Sequence, residues 1–200
     1  MLTRCESAAL TPEPDASYDV VLCREGLMFA ADPARSAREI ARVLRVGGRA
    51  ALAVWGPREH NPWLGMVFDA VSAELGRPIP PPGMPGPFSL GDADHLAALL
   101  SAAGLSDVGV GDLSVPLRAG SFDEWLDRTS ALGGPLTQVL AALPEEAAAA
   151  VRARARKTAR RYQTGDGLEF GGLALLARGR PDGRVAPVDK RTLRRRAIRP

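Results

Sequence analysis

The sequence predicts an α/β protein built around a mostly parallel sheet. Two short apolar runs rich in strand-forming residues, Tyr18 to Cys23 and Arg49 to Trp55, flank a helical pattern from Pro33 to Arg45. Two strands joined through a helix form a right-handed crossover, which makes them parallel neighbours in one sheet. Because ligands bind beyond the carboxyl ends of such strands, Cys23–Met28 and Gly56–Trp63 are the candidate sites.

The helix between these strands has clear start and stop signals. Asp32 is a favourable N-cap, and Pro33 fits the first helical position. Ala37, Ile40, Ala41 and Leu44 recur at helical spacing and predict a buried stripe. The pair Gly47-Gly48 ends the helix, with one glycine in the left-handed conformation.

The rest of the chain also alternates between helices and strands. The segment from Gly76 to Pro87 contains six prolines and predicts a stiff loop. Helices are predicted at Trp63–Leu75, Asp92–Ala103, Phe122–Leu132, Leu136–Leu143 and Pro144–Tyr162, and strands at Asp107–Leu117 and Leu168–Arg178. The last three helices define a helical insertion, residues 121–163, before the final strand.

The length of 200 residues and the hydrophobic fraction of 46% fit one globular domain. No apolar run approaches the roughly 20 residues of a membrane helix, and the N-terminus lacks the apolar core of a signal peptide. Two cysteines and two histidines leave little material for disulfides or a metal site. We therefore expect a cytoplasmic protein without a metal.

The net charge of +3 is concentrated at the C-terminal end. Residues 184–200 carry seven basic side chains and one acidic side chain, a net charge of +6, so the preceding residues carry −3. Few large apolar residues lie in this segment, which predicts a disordered extension over residues 181–200. A solvated tail is favoured over a nucleic-acid-binding function.

Two runs along the first half of the chain resemble a known family. They read PDASYDVVLCREGLMF and DPARSAREIARVLRVGGRAALAVWG. In this order they closely resemble the class I S-adenosylmethionine-dependent methyltransferases, most closely the small-molecule branch with the type 11 methyltransferase domain. The resemblance departs from the family pattern at Val46, where the family has proline.

The resemblance implies an incomplete Rossmann-like methyltransferase sheet over residues 1–180. The fourth to seventh strands of that fold would be present, mostly parallel with the last antiparallel, and the helical insertion would precede the final strand. The family's glycine-rich cofactor loop, its ribose-binding acid and its third strand normally come earlier, and the sequence contains no G-x-G-x-x-G run. The strand Tyr18–Arg24 would then lie at an open sheet edge.

The resemblance also implies sites for S-adenosylmethionine. Glu6 and Ser7 would meet the adenine, whereas Cys23, Arg24 and Glu25 follow the strand that flanks the methionine end of the cofactor. The plainer alternative is that Cys23 fills the core and that Arg24 and Glu25 form a solvated pair.

Residues after the second strand are candidates for contact with the methyl acceptor. Trp55, Asn61 and Trp63 could shape its pocket, although helix entry and core packing explain Asn61 and Trp63 equally well. His60 is a weak candidate for a general base, since a lone loop histidine is more often a bystander.

Two functions follow from this pattern. The first is methyl transfer from S-adenosylmethionine to a small-molecule acceptor, impaired by loss of the glycine-rich loop. The second is an N-terminally truncated, non-catalytic remnant or binding module that pairs through its open sheet edge, for example as a homodimer.

Overall fold

The computed structural model describes residues 13–132 and 135–182. The predictions for residues 1–12, and for residues 183–200 of the basic tail, lie outside this part of the chain. In order, the elements are β1 (Tyr18–Arg24), α1 (Pro33–Val43), β2 (Leu44–Trp55), α2 (Pro62–Leu75), α3 (Ala93–Ala102), β3 (Leu105–Ser114), β4 (Leu117–Ala119), α4 (Phe122–Leu132), α5 (Pro135–Ala141), α6 (Glu145–Ala159), β5 (Gln163–Thr164), β6 (Gly167–Phe170) and β7 (Leu173–Pro181).

The main sheet has the strand order β1-β2-β7-β3. Strand β1 pairs in parallel with β2, whereas β7 is antiparallel to both β2 and β3. Three strands therefore run in one direction and the last strand runs in the other. This arrangement confirms the predicted α/β class, with a mixed sheet in which only β1 and β2 form a parallel pair. Among the described residues β1 lies at an edge.

The helix α1 begins as the sequence predicts. The side chain of Asp32 accepts a hydrogen bond of 2.8 Å from the backbone N–H of Arg35, and Pro33 occupies the first helical turn. The helix ends at Val43, earlier than predicted, because Leu44 already adopts an extended backbone and begins β2. Gly47 has the expected left-handed conformation, with a φ of 81°, but it lies within β2.

Replacing the cap, Asp32→Ala, is expected to lower the free energy of unfolding by about 1 kcal/mol, because the N–H of Arg35 loses its acceptor. Thermal unfolding followed by circular dichroism measures the change. Asp32→Asn is the matched control, since an amide oxygen also caps helices. Equal destabilisation by both substitutions would contradict a capping role.

The prediction of one final strand from Leu168 to Arg178 is wrong. The chain breaks at Gly171 and Gly172 into β6 and β7. Strand β6 belongs to a second, small sheet with the order β4-β6-β5, whereas β7 joins the main sheet. The predicted strand Asp107–Leu117 divides in the same way into β3 and β4. The chain thus crosses between the two sheets twice, once at Val115-Pro116 and once at the glycine pair.

Two hydrophobic cores result from this division. One lies between the main sheet and the helices α1 and α3, and it includes Leu52, Val54 and Leu175. The other joins α2, α4 and α6 to the small sheet around the fully buried Trp125 and Phe170. No helix in the described ranges is long and apolar enough to cross a membrane.

Candidate functional site

The carboxyl end of β1 has an unusual backbone conformation. Glu25 has a φ of 52°, in the left-handed region that residues with a side chain rarely adopt. Its N–H donates a hydrogen bond of 2.8 Å to the carbonyl of Ala53, so the pairing with β2 continues one residue past Arg24. Such conformations persist where the surrounding structure enforces them and are frequent at functional sites.

The side chains at this end of β1 divide between core and solvent. Cys23 is half-buried against the core on the α1 side of the sheet, and a Cβ added to Gly26 would lie 3.2 Å from its sulfur. Arg24 is exposed and Glu25 is half-buried, and neither makes an ion pair with a described residue. Among the described residues, the carboxyl end of β1 therefore carries a cation, Arg24, and an anion, Glu25, that have no ion-pair partner.

Three backbone segments meet at the carboxyl end of β2. The N–H of Gly56 donates to the carbonyl of Leu173 at 2.9 Å. A Cβ added to Gly91 would lie 2.9 Å from the carbonyl carbon and oxygen of Gly56. Gly91 was not singled out from the sequence, although its place just before the N-cap Asp92 is a position where a close backbone approach favours glycine.

Asn61 joins these segments through its side chain. It is fully buried, and its Nδ2 donates to the carbonyl of Leu173 at 2.9 Å, of Pro57 at 3.1 Å and of Gly56 at 3.3 Å. Its Oδ1 accepts from the N–H of Leu173 at 3.0 Å and from the indole N–H of Trp63 at 3.3 Å. All the hydrogen-bonding groups of the amide are thus used within the protein.

The two tryptophans predicted to face the acceptor differ in exposure. Trp63 is 2% exposed, and its carbonyl accepts a hydrogen bond of 3.0 Å from the indole of Trp125. Trp55 is half-buried and packs edge-to-face on Trp63, with ring centroids 5.0 Å apart. Of the pair, only Trp55 presents surface at the end of β2.

His60 lies in a short 3-10 turn, Arg58–His60, and its side chain is exposed. Arg58 anchors the same turn: its guanidinium pairs with Asp69 and lies 5.9 Å from the ring centres of both Phe68 and Phe88. The imidazole is therefore carried on a turn that is fixed to α2.

The proline-rich segment connects the two strand ends. The N–H of Gly86 donates to the carbonyl of Met28 at 3.1 Å, and the hydroxyl of Ser89 donates to the same carbonyl at 2.7 Å. Ile79 anchors the segment in the core around α2. The loop after β1 and the segment leading to Gly91 thus form one continuous rim.

Glu6 and Ser7 lie outside the described residues. Of the other predicted site residues, the structure places three at the carboxyl end of β1: Cys23, Arg24 and Glu25. Four lie at or after the carboxyl end of β2: Trp55, His60, Asn61 and Trp63. Their roles toward a ligand stay predictions.

Comparison with solved structures identifies the class of fold. A structure described as a methyltransferase from an antibiotic biosynthesis pathway of Anabaena variabilis is 13% identical and matches 84% of this chain and 70% of its own, with a TM-score of 0.52. The YcgJ protein of Bacillus subtilis is 22% identical over 86% of this chain and 67% of its own, with a TM-score of 0.49. The match to the Anabaena variabilis structure shows that the fold is α/β and methyltransferase-like.

A further structure, the phosphoethanolamine N-methyltransferase 2 of Haemonchus contortus in complex with S-adenosylmethionine, is 16% identical over 88% of this chain, with a TM-score of 0.45. This chain spans only 36% of that protein. No curated protein sequence matches the chain.

The family model described as a methyltransferase domain, type 11, matches residues 2–52. The match includes β1, α1 and most of β2, which are the elements that carry the two family-like runs. The resemblance of this chain to class I S-adenosylmethionine-dependent methyltransferases is thereby confirmed.

Proposed function

We propose that the protein takes part in the transfer of a methyl group from S-adenosylmethionine to a small-molecule acceptor. The observation that carries this proposal is the family match across β1, α1 and most of β2. The carboxyl ends of these two strands form the candidate site. We assign β1, β2, β3 and β7 to the fourth, fifth, sixth and seventh strands of the family sheet. The observed order β1-β2-β7-β3 supports that assignment.

The residues beyond β1 suit the methionine end of the cofactor. That end carries an ammonium group and a carboxylate, and Glu25 and Arg24 offer a carboxylate and a guanidinium that have no ion-pair partner within the described ranges. In our proposal Glu25 accepts from the ammonium group and Arg24 donates to the carboxylate. When bound, S-adenosylmethionine supplies an electrophilic methyl group, and Glu6 and Ser7 are proposed to contact its adenine.

The residues beyond β2 are proposed to position the acceptor. Trp55 presents an apolar surface, and His60 is available to accept a proton from the acceptor. We propose that Asn61 and Trp63 act indirectly, by fixing the loop, because both side chains are buried and hydrogen-bonded to each other. Methyl transfer is a direct displacement that depends chiefly on positioning, so this set of roles is sufficient for the chain's part in the reaction.

The alternative function is a non-catalytic binding module. The position of β1 favours it, since among the described residues β1 is the outermost strand of the main sheet and pairs only with β2. Pairing of two copies through β1 is the simplest form of this proposal, and it would extend the sheet across a dimer. Sedimentation velocity of the 200-residue chain tests it: a strict monomer at millimolar concentration would contradict pairing through β1.

Isothermal titration with S-adenosylmethionine separates methyl transfer from the binding module. Micromolar affinity is expected if this chain holds the cofactor. Glu25→Gln should then weaken binding about tenfold, because a charge-assisted hydrogen bond to the ammonium group is lost. The exposed Glu59→Gln, on the turn before Asn61, is the matched control and should leave affinity unchanged.

Absence of a heat signal at millimolar cofactor would contradict autonomous methyl transfer and favour the module. If the Glu25→Gln variant and the unsubstituted chain bound S-adenosylmethionine equally well, the proposal of methyl transfer would still hold. The proposed contact between Glu25 and the cofactor would then be wrong.

A further inference from the structure

Positive charge is concentrated on the helix α6 and on the 3-10 turn that follows it, Arg160–Tyr162. The sequence has no acidic residue from position 147 to position 165. Outside this segment the described residues carry 12 basic and 21 acidic side chains, so the rest of the body is acidic. Six solvent-accessible cations form what is here called the basic face: Arg152, Arg154, Arg156, Lys157, Arg160 and Arg161.

The basic face consists of two rows of cations. Residues three or four positions apart are neighbours on one side of a helix. The first row has intervals of four residues and contains Arg152, Arg156 and Arg160. The second row has intervals of three and four residues and contains Arg154, Lys157 and Arg161. The two rows thus follow opposite flanks of the exposed side of α6.

Ion pairs place the two rows beside different helices. Arg152 and Arg156 both contact Oδ1 of Asp123 in α4, at 2.7 Å and 3.0 Å. Arg154 lies 3.6 Å from a carboxylate oxygen of Glu74 in α2. The other three cations have no ion pair with any residue that the structure describes. Because two carboxylates face six cations, the basic face keeps a net charge of +4.

Helix stability alone does not explain the basic face. Cations favour the C-terminal end of a helix, but this effect is confined to the last turn, where Arg156 and Lys157 lie. Arg152 and Arg154 lie earlier in α6. Like charges four residues apart, such as those of Arg152 and Arg156, repel each other and destabilise the helix. A basic patch of this kind is typical of a surface that binds a polyanion.

The composition of the basic face favours nucleic acid as the polyanion. None of the exposed large hydrophobic side chains in the described ranges lies on α6 or on the turn after it. Protein interfaces and membrane-bound helices bury such side chains, whereas nucleic-acid interfaces are more polar and more positively charged. Five of the six cations are arginines, whose guanidinium groups bind phosphate through two parallel hydrogen bonds.

The aromatic rings beside the basic face are already covered by other side chains. The guanidinium of Arg156 lies 4.1 Å from the ring centre of Phe122. The ring of Tyr162 lies 4.9 Å from that of Phe170 and 5.0 Å from the guanidinium of Arg161. Single-stranded nucleic acids bind through bases that stack on exposed rings. The covered rings therefore favour a duplex, which presents its phosphates and keeps its bases stacked.

The dimensions of the basic face match duplex DNA. The first row spans eight residues of helix, about 12 Å, and each strand of duplex DNA carries about three to four phosphates over that length. The rows lie on the two flanks of a helix about 10–12 Å wide, and the major groove of B-form DNA is about 12 Å wide. The major groove of duplex RNA is too narrow for this arrangement.

We infer that the basic face binds duplex DNA, with one row of cations along each of the two phosphate backbones that border the major groove. The contacts are made to phosphates, so the binding does not depend on base sequence. This inference goes beyond methyl transfer and does not depend on it.

The test measures fluorescence anisotropy of a fluorescein-labelled DNA duplex of about 20 base pairs with the full 200-residue chain, at several salt concentrations. Arg160→Ala removes an exposed cation that has no ion pair within the described ranges. Each phosphate contact contributes about 0.9 to the slope of log affinity against log salt, so this variant should have a slope smaller by about 0.9. Its affinity at about 0.1 M salt should be about eightfold lower.

Arg38→Ala is the matched control. It removes an exposed cation from α1, which is the same change in net charge, and it should alter neither the slope nor the affinity. The side chains at positions 38 and 160 are both exposed, so both variants should melt at the temperature of the unsubstituted chain. Two duplexes of different base sequence should bind equally.

Four results would overturn the inference. The first is failure of the duplex to bind. The second is an equal effect, or no effect, of Arg160→Ala and Arg38→Ala, which would assign the binding to the basic residues 184–200. The third is tighter binding of single-stranded DNA or of duplex RNA of the same length. The fourth is binding of polyglutamate at least as tight as that of the duplex, which would indicate an acidic protein as the partner.

Discussion

Replacing Gly172 by alanine is expected to lower the free energy of unfolding by about 3 kcal/mol, because the new methyl group collides with fixed backbone. A Cβ at this position would lie 2.1 Å from the carbonyl oxygen of Val115, far inside van der Waals contact. The same place holds a hydrogen bond of 2.8 Å from the N–H of Val115 to the carbonyl of Gly172. Relief of the collision therefore requires this link between the strand connections to open.

The neighbouring glycine provides the control. Gly171 is exposed, and a Cβ added to it would meet nothing within 4 Å. Gly171→Ala should change stability by no more than about 0.5 kcal/mol. Thermal unfolding should thus separate the two variants by about 6–12 °C for a chain of this size. Similar melting temperatures would mean that the two chain crossings are not held together at Gly172.

The elements that the sequence predicts well have local signals. Asp32 and Pro33 mark the start of α1, and the acid-rich capping box at Ser121 and Glu124 marks the start of α4. In each case the residue types that begin a helix are adjacent in sequence to the apolar pattern that continues it. Such signals need no knowledge of the rest of the fold.

The two-sheet division has no local signal of that kind. Leu168 to Arg178 is apolar enough to read as one strand, and the pair Gly171-Gly172 fits either a strand defect or a break. The choice depends on the approach of Gly172 to Val115, which is 57 positions away and belongs to the other crossing. In the sequence, a long-range contact of this type is visible only as a position that requires glycine.

The candidate site shows the same contrast. The strand ends could be located because a crossover fixes where carboxyl ends lie, and both predicted places prove to be the ends of β1 and β2. The sequence alone could not decide whether Asn61 contacts the acceptor or stabilises the start of the helix. Its partner Leu173 is 112 positions away and lies on a strand whose start was predicted incorrectly.

Asn61→Ala is expected to lower the free energy of unfolding by about 3–5 kcal/mol, because the N–H groups of Leu173 and Trp63 lose their acceptor and remain buried. His60→Ala changes the adjacent, exposed residue and should have little effect. Chemical denaturation monitored by tryptophan fluorescence measures both. If Asn61 served mainly to contact an acceptor, its replacement would leave stability unchanged and alter only acceptor binding.

Asn61→Asp tests the same network through pH. The new carboxyl group would keep an acceptor for Leu173 and Trp63, but it would face the carbonyl oxygens of Gly56, Pro57 and Leu173, which the amide now satisfies. Burial and these oxygens both disfavour the charged form, so the pKa of the new carboxyl is raised in the folded state above its unfolded value of about 4.

The folded variant therefore holds its proton more tightly than the unfolded chain does. Its stability is largest below about pH 4 and falls as the pH rises above that value, relative to the unsubstituted protein at each pH. Denaturation midpoints of both proteins between acid and neutral pH measure this difference. If the difference in midpoint between the two proteins were the same at every pH, the side chain at position 61 would be solvated. The hydrogen bonds that join β2, β7 and α2 would then not be what fixes the loop at the end of β2.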